Sequence, residues 1–134
     1  MKVSSRGSKA INGHVTTNEY ETSSISETGV KILIGLGRNH SLPDYSHSPN
    51  SIYAKMKSDG KTLHEMRFYD GKGNPIIEIG YHPEPTLNKG DRLTNVLHFH
   101  MYSGLDRIST EKMSDHPDVK EKYSIYLKEF NLYD

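Results

Sequence analysis

Cysteine and tryptophan are absent from the chain, and phenylalanine occurs only three times. Without cysteine the protein has no disulfide, no thiolate nucleophile and no cysteine-based zinc or iron–sulfur site. The 17 basic and 17 acidic side chains cancel, which excludes the broad basic surface of a non-specific nucleic-acid binder. No apolar run approaches the ~18 residues of a membrane span. We therefore expect a soluble protein that has no membrane partner.

The length and the distribution of polar residues predict one domain preceded by an arm. The 134 residues match the usual size of a single domain, about 100–150 residues. Residues 1–28 are rich in Ser, Thr, Asn and Gly and contain few strong core formers. We predict a polar arm over residues 1–28 and a single α+β domain over residues 29–134. We expect the arm to contact a protein partner or a neighbouring subunit.

Alternation of apolar and polar residues predicts an antiparallel sheet. The predicted strands lie at residues 30–34, 51–57, 62–69, 76–82 and 93–102. Asp59-Gly60 between two of them is a strong hairpin signal, and helical spacing of apolar residues predicts a helix over residues 116–131. The predicted fold is α+β, an antiparallel meander of four to five strands with one C-terminal helix packed on one face. The other face stays partly free.

Polar side chains gather on the sheet face opposite the predicted core. His98 and His100 alternate with core residues on one strand, and so do Glu78 and His82 on the preceding strand. Glu65 and Arg67 join them if the alternate residues of their strand face the core. The predicted site therefore contains His98, His100, His82, Arg67 and Glu78.

These residue types suit RNA cleavage without a metal ion. The reaction needs a base for the 2′-hydroxyl proton, an acid for the leaving oxygen and a cation on the phosphate. Side chains two apart on a strand are about 6.5–7 Å from each other, so His98 and His100 can flank a phosphate while Arg67 steadies it. We predict a metal-independent, ribonuclease-like site that has no cofactor and takes RNA or single-stranded nucleic acid as its partner.

Two alternatives explain the same residues. His98-Phe99-His100 also suits a Zn or Fe site, with His82, Glu78 or His64 as the third ligand. Alternatively, a half-exposed antiparallel sheet carries polar residues on its outer face without any further role.

One stretch resembles a known family. Arg67-Phe68-Tyr69-Asp70-Gly71-Lys72-Gly73-Asn74-Pro75, followed by His82 and His98-Phe99-His100, resembles the short R-x-Y-D-x-x-G-x-P … H-x-H domain at the C-termini of phage head-morphogenesis and polymorphic-toxin-like proteins. The resemblance covers about residues 50–102.

The resemblance implies a phage or mobile-element setting, with the protein in the host cytoplasm or the virion. It also implies a toxin-like site that acts on nucleic acid through Arg67, His82, His98 and His100. The alternative within this setting is a non-enzymatic structural or inhibitory protein, which the predicted arm and the balanced charge favour.

Overall fold

The computed structural model describes the backbone of residues 2–11, 14–35, 42–46, 48–57 and 62–130, and it describes side chains at Thr22 and from Ser24 onward within these ranges. The strands are β1 (Lys2–Ile11), β2 (His14–Ile25), β3 (Lys31–Gly35), β4 (Ile52–Met56), β5 (Leu63–Tyr69), β6 (Pro75–His82), β7 (Val96–Ser103) and β8 (Asp106–Lys112). Over the described residues they form one sheet in chain order. Neighbouring strands are antiparallel except β3 and β4, which are parallel.

The α+β class and the mostly antiparallel sheet are confirmed, whereas the predicted count of four to five strands is wrong. Two of the additional strands, β1 and β2, lie within residues 1–28, which the composition assigns to a polar arm. The third, β8, has Ile108 as its one aliphatic residue. These strands join the sheet through backbone hydrogen bonds, and their sequences show little of the apolar alternation that reveals a buried strand. The predicted Asp59-Gly60 turn lies outside the described residues.

The single predicted helix over residues 116–131 is also wrong in detail. Short helices occupy this segment, namely α1 (Pro117–Lys122), α2 (Ser124–Leu127) and a 3₁₀ turn (Lys128–Phe130); two further 3₁₀ turns are Pro85–Leu87 and Met113–Asp115. The helix breaks at Tyr123, which has φ −105° and ψ 14°. Tyr123, Ser124 and Ile125 follow one another here, and all three have a lower helix propensity than Ala, Leu or Lys. Among the described residues, no helix is both long and apolar enough to cross a membrane.

The short helices cover one face of the sheet, as the apolar spacing predicts. The ring of Phe68 contacts Tyr123 and Tyr126, with centroid distances of 4.9 and 5.0 Å. Leu127 and Phe130 are buried in the same core. This packing of rings on the sheet decides the position of each turn, since segments this short are not stable alone.

The second face of the sheet is also covered at the end formed by β3, β4 and β5. Leu42 is buried there against Leu33, Tyr53 and Tyr69, and the Tyr69 hydroxyl donates a hydrogen bond to the carbonyl of Pro43. The sequence predicts that this face is partly free, but the segment over residues 42–46 lies across it. Arg67 on this face is buried and donates a hydrogen bond to the carbonyl of Pro43 in the covering segment.

A tight turn between β5 and β6 holds that covering segment in place. Asp70 accepts hydrogen bonds at Oδ1 from the backbone N–H groups of Lys72 and Asn74, at 2.8 and 2.9 Å. Gly73 has φ +85°, and a Cβ at this position would lie 2.6 Å from the carbonyl oxygen of Ser46. Glycine is required here by both the dihedral angle and the close approach.

We expect Phe130→Ala to destabilise the protein by about 3–5 kcal/mol, because it opens a cavity where the last 3₁₀ turn meets the sheet. Ile125→Ala is the control, since Ile125 lies in the same segment but is 57% exposed, and it should change the free energy of unfolding by less than about 0.5 kcal/mol. Urea denaturation measures both. Equal effects of the two substitutions would contradict the packing described here.

Candidate metal centre

The register of β6 and β7 brings the predicted site residues together. Glu78 pairs with His100 and Gly80 pairs with His98 across the two strands. The imidazole of His98 makes edge contacts with two others, at centroid distances of 4.6 Å to His82 and 5.2 Å to His100. The predicted trio of histidines therefore forms one continuous cluster on the second face.

A β-bulge adds His64 to this cluster. Lys55 pairs with Glu65 and Met56 pairs with Leu63, so His64 is an extra residue in β5. Regular alternation would direct His64 toward the core, whereas the bulge turns it to the second face. Its ring stacks on His82 at a centroid distance of 4.1 Å and an interplanar angle of 7°.

Hydrogen bonds at Nδ1 fix how the cluster presents its nitrogens. His82 Nδ1 lies 2.9 Å from the carbonyl oxygen of the next residue, and His98 Nδ1 lies 2.7 Å from the carbonyl oxygen of Val96. A carbonyl only accepts, so these Nδ1 atoms carry the proton and the two Nε2 atoms present lone pairs. His100 Nδ1 is bonded to the hydroxyl of Thr110 at 2.9 Å. This is the arrangement that orients metal-binding histidines in proteins.

The Nε2 atom of His98 is buried and has no hydrogen-bond partner among the described residues. A buried nitrogen without a partner costs about 1–3 kcal/mol, so such groups are rare and call for an explanation. Gly80 makes room for this nitrogen. A Cβ at position 80 would lie 2.9 Å from His82 Nε2 and 3.0 Å from His98 Nε2.

Glu84 completes a set of three ligand-type side chains. Its Oε2 lies 3.8 Å from His98 Nε2, and Thr86 holds the other oxygen with a hydrogen bond of 2.8 Å. One ligand-type atom from each of Glu84, His98 and His100 lies within 4.8 Å of the other two. We call these residues the first triad.

A second group of the same kind lies beside it. His64, Glu65 and His82 also place one ligand-type atom each within 4.8 Å of one another. We call these residues the second triad. The two triads touch where His82 meets His98.

Arg67 and Glu78 form a buried ion pair beside His100 on the second face. Nε and Nη2 of Arg67 lie 2.7 and 2.5 Å from Glu78 Oε2, while Nη1 donates to the carbonyl oxygen of Pro43 at 3.1 Å. The other carboxylate oxygen of Glu78 lies 3.1 Å from Nη2 of Arg107, whose side chain is 51% exposed. Arg67 is fully engaged within the protein, and Arg107 is the guanidinium that reaches the surface.

The environment of His98 and His100 favours their neutral form. Burial lowers the pKa of His98. Burial, with a contribution from the charge of Arg107, lowers the pKa of His100 to about 4. Burial raises the pKa of Glu84, but the hydrogen bond from Thr86 and the nearby histidines outweigh it and hold that pKa below its usual value. Neutral imidazole and ionised carboxylate are the forms that bind metal ions.

The pKa values of Glu65 and Glu78 are shifted in opposite directions. Burial and the charge of Glu78 raise the pKa of Glu65 to about 7. Burial also disfavours the ionised form of Glu78, but the charge and hydrogen bonds of Arg67 outweigh it and lower the pKa of Glu78. Glu78 is therefore ionised at neutral pH, whereas Glu65 changes its charge near pH 7.

The structure gathers all five residues predicted from the sequence in one region, although their roles differ. His82, His98 and His100 form the cluster, while Arg67 and Glu78 bind each other. Sequence reasoning missed two residues. Glu84 follows a strand in a loop with no periodicity, and Arg107 lies on the unpredicted β8.

Comparisons with family models, curated proteins and solved structures found no match to this chain. The phage setting, the location in host cytoplasm or virion and the contact of residues 1–28 with a partner stay predictions.

We expect Glu78→Gln to destabilise the protein by about 3–5 kcal/mol at neutral pH, because it leaves the charge of Arg67 buried without its partner. The pKa of Glu78 is held below its usual value of 4.5, so the stabilisation by its charge is present above pH 4.5 and is lost as the pH falls through the folded-state pKa. The difference between wild type and variant should shrink below about pH 4.5. Urea denaturation across this range measures it, with Glu111→Gln as the control. A difference that does not vary with pH would contradict this role of Glu78.

Proposed function

We propose that the protein binds a divalent transition-metal ion, preferably zinc, through the first triad. The observation that carries this proposal is the buried Nε2 of His98, which has no hydrogen-bond partner among the described residues and lies 3.8 Å from the carboxylate of Glu84. A metal ion between them would satisfy both groups. The hydrogen bond from His98 Nδ1 to a backbone carbonyl already orients the ring for this purpose.

The donor set supports zinc or iron. Two imidazoles and one carboxylate are found in catalytic zinc sites and in non-haem iron sites, and the chain has no cysteine that would add a thiolate. Zn–N bonds of about 2.0–2.1 Å in a tetrahedral site place ligand atoms roughly 3.4 Å apart. The first-triad atoms lie within 4.8 Å of one another, so they need to approach by at most about 1.4 Å when the ion binds.

Three protein ligands suit a catalytic site better than a structural one. Structural zinc is almost always held by four protein ligands, whereas catalytic zinc has three and binds water at the fourth position. Such an ion lowers the pKa of its water to about 7 and supplies hydroxide for hydrolysis. We infer that the metal centre serves hydrolysis.

The test is the zinc content and zinc affinity of the full chain, measured by mass spectrometry of the metal and by calorimetric titration. We expect near-stoichiometric zinc at the first triad, and we expect His98→Ala to weaken binding by at least 100-fold because one ligand is lost. His116→Ala is the matched control. His116 pairs with Glu111 at 3.3 Å outside both triads, so zinc binding should be unchanged.

A second substitution protects the test against misfolding. Gly80→Ala keeps every ligand but places a Cβ about 3 Å from two Nε2 atoms, so it should weaken zinc binding in a folded protein. Circular dichroism checks the fold of each variant. Wild-type protein that takes up no zinc, or a folded His98→Ala variant that binds zinc like wild type, would overturn the proposal.

Metal-independent cleavage of nucleic acid is the second candidate function, and Arg107 favours it. A cavity of about 300 Å³ is lined by residues that include Arg67, Arg107 and Tyr102. Arg107 is half exposed and lies beside Glu78, which faces His100 across the strands. The cation of such a site would be Arg107, because Arg67 is engaged by Glu78 and by the carbonyl of Pro43.

If this second candidate is correct, the protein cleaves labelled RNA or single-stranded DNA in the presence of EDTA. Arg107→Gln should reduce the rate by about 100-fold, since it removes the cation that stabilises phosphate charge. Arg92→Gln is the control, because Arg92 is an exposed residue in the loop before β7. Cleavage that EDTA abolishes would point to the metal centre instead, and the absence of cleavage would exclude this candidate.

A further inference from the structure

We propose that the second triad, His64, Glu65 and His82, binds a second divalent ion, so that the site is a two-metal centre. This inference rests on the proposed metal centre at the first triad. The same chemistry recurs in both triads, each of which has two imidazoles and one carboxylate with ligand-type atoms within 4.8 Å of one another.

A β-bulge in β5 brings the second triad together. His64 reaches the second face because β5 has a bulge at this point, where Lys55 pairs with Glu65 and Met56 pairs with Leu63. A bulge interrupts backbone pairing and increases the local twist of the strand, and bulges are common beside active sites because they redirect a side chain. The side chain redirected here is an imidazole placed against another imidazole, at 4.1 Å between ring centroids.

The imidazole of His82 is oriented by a backbone carbonyl in the same way as that of His98. Its Nδ1 lies 2.9 Å from the carbonyl oxygen of Pro83, so Nε2 presents a lone pair. That nitrogen points toward the space above Gly80, where a Cβ would lie 2.9 Å from it and 3.0 Å from His98 Nε2. Nitrogens from both triads therefore border the same small region, which only glycine at position 80 leaves open.

Charge also permits two ions in close proximity. Two divalent cations repel each other strongly at short distance, and carboxylates offset this repulsion. Each triad contributes one carboxyl group, Glu84 or Glu65, and a bound cation would displace the proton that Glu65 carries below its pKa of about 7. Glu78, which accepts hydrogen bonds from two arginines, is paired with His100 of the first triad across β6 and β7 and interacts with Glu65 of the second triad. In two-metal sites the ions lie about 3.5–4 Å apart and stabilise the attacking and the leaving oxygen together.

The experiment counts zinc ions per chain after equilibrium dialysis of the full-length protein that was first stripped with a chelator. We expect two ions in the wild type and one in His64→Phe, which keeps a ring stacked on His82 but removes the ligand. Glu65→Gln should also bind one ion, and it retains a hydrogen-bonding group near Glu78. The control is His116→Phe, with two ions. Circular dichroism verifies that each variant is folded.

The outcomes separate this inference from the proposed function. One ion in the wild type that is lost in His98→Ala and retained in His64→Phe would overturn the two-metal centre and leave the first site standing. No ion in the wild type would overturn both. Two ions in the wild type and in both folded second-triad variants would place the second ion elsewhere and overturn the inference.

Discussion

Glu78 is the residue on which the arrangement of the second face depends. It is 1% exposed and accepts hydrogen bonds from Arg67 on one side and Arg107 on the other. A buried carboxylate is tolerated only when it is paired, because the loss of its hydration costs several kcal/mol. The three side chains of Arg67, Glu78 and Arg107 join β5, β6 and β8 beside the histidines. The ion pair also secures the segment over residues 42–46 through the bond from Arg67 to Pro43, which covers this part of the sheet.

Burial also explains the chemistry of the histidines. A polar face exposed to water would leave His98 and His100 with ordinary pKa values and mobile rings. In the structure both are buried, their Nδ1 atoms are bonded within the protein, and burial keeps them neutral. Two buried and oriented imidazoles of this kind are typical of metal-binding histidines, whereas histidines that exchange protons with solvent are exposed. Arg67 is buried in its ion pair with Glu78, whereas the side chain of Arg107 reaches solvent.

Period-two alternation predicted the strands that carry the site and the face on which His82, His98 and His100 meet. It succeeded because β6 and β7 bury one face in a regular apolar core. It could not predict β1, β2 and β8, which are held by backbone pairing. Nor could it predict the covering of the second face, since Leu42 comes from a loop rich in turn formers. The position of His64 depends on a bulge and that of Glu84 on a loop. Neither feature leaves a periodic pattern in the sequence.

The bulge in β5 determines whether an imidazole stacks on His82. Because His64 is one extra residue with no partner across the strand pair, removal of its codon would restore regular alternation of β5 without moving the other strands. A one-residue deletion at this point would therefore take one imidazole out of the histidine cluster and leave His82, His98 and His100 on their own strands.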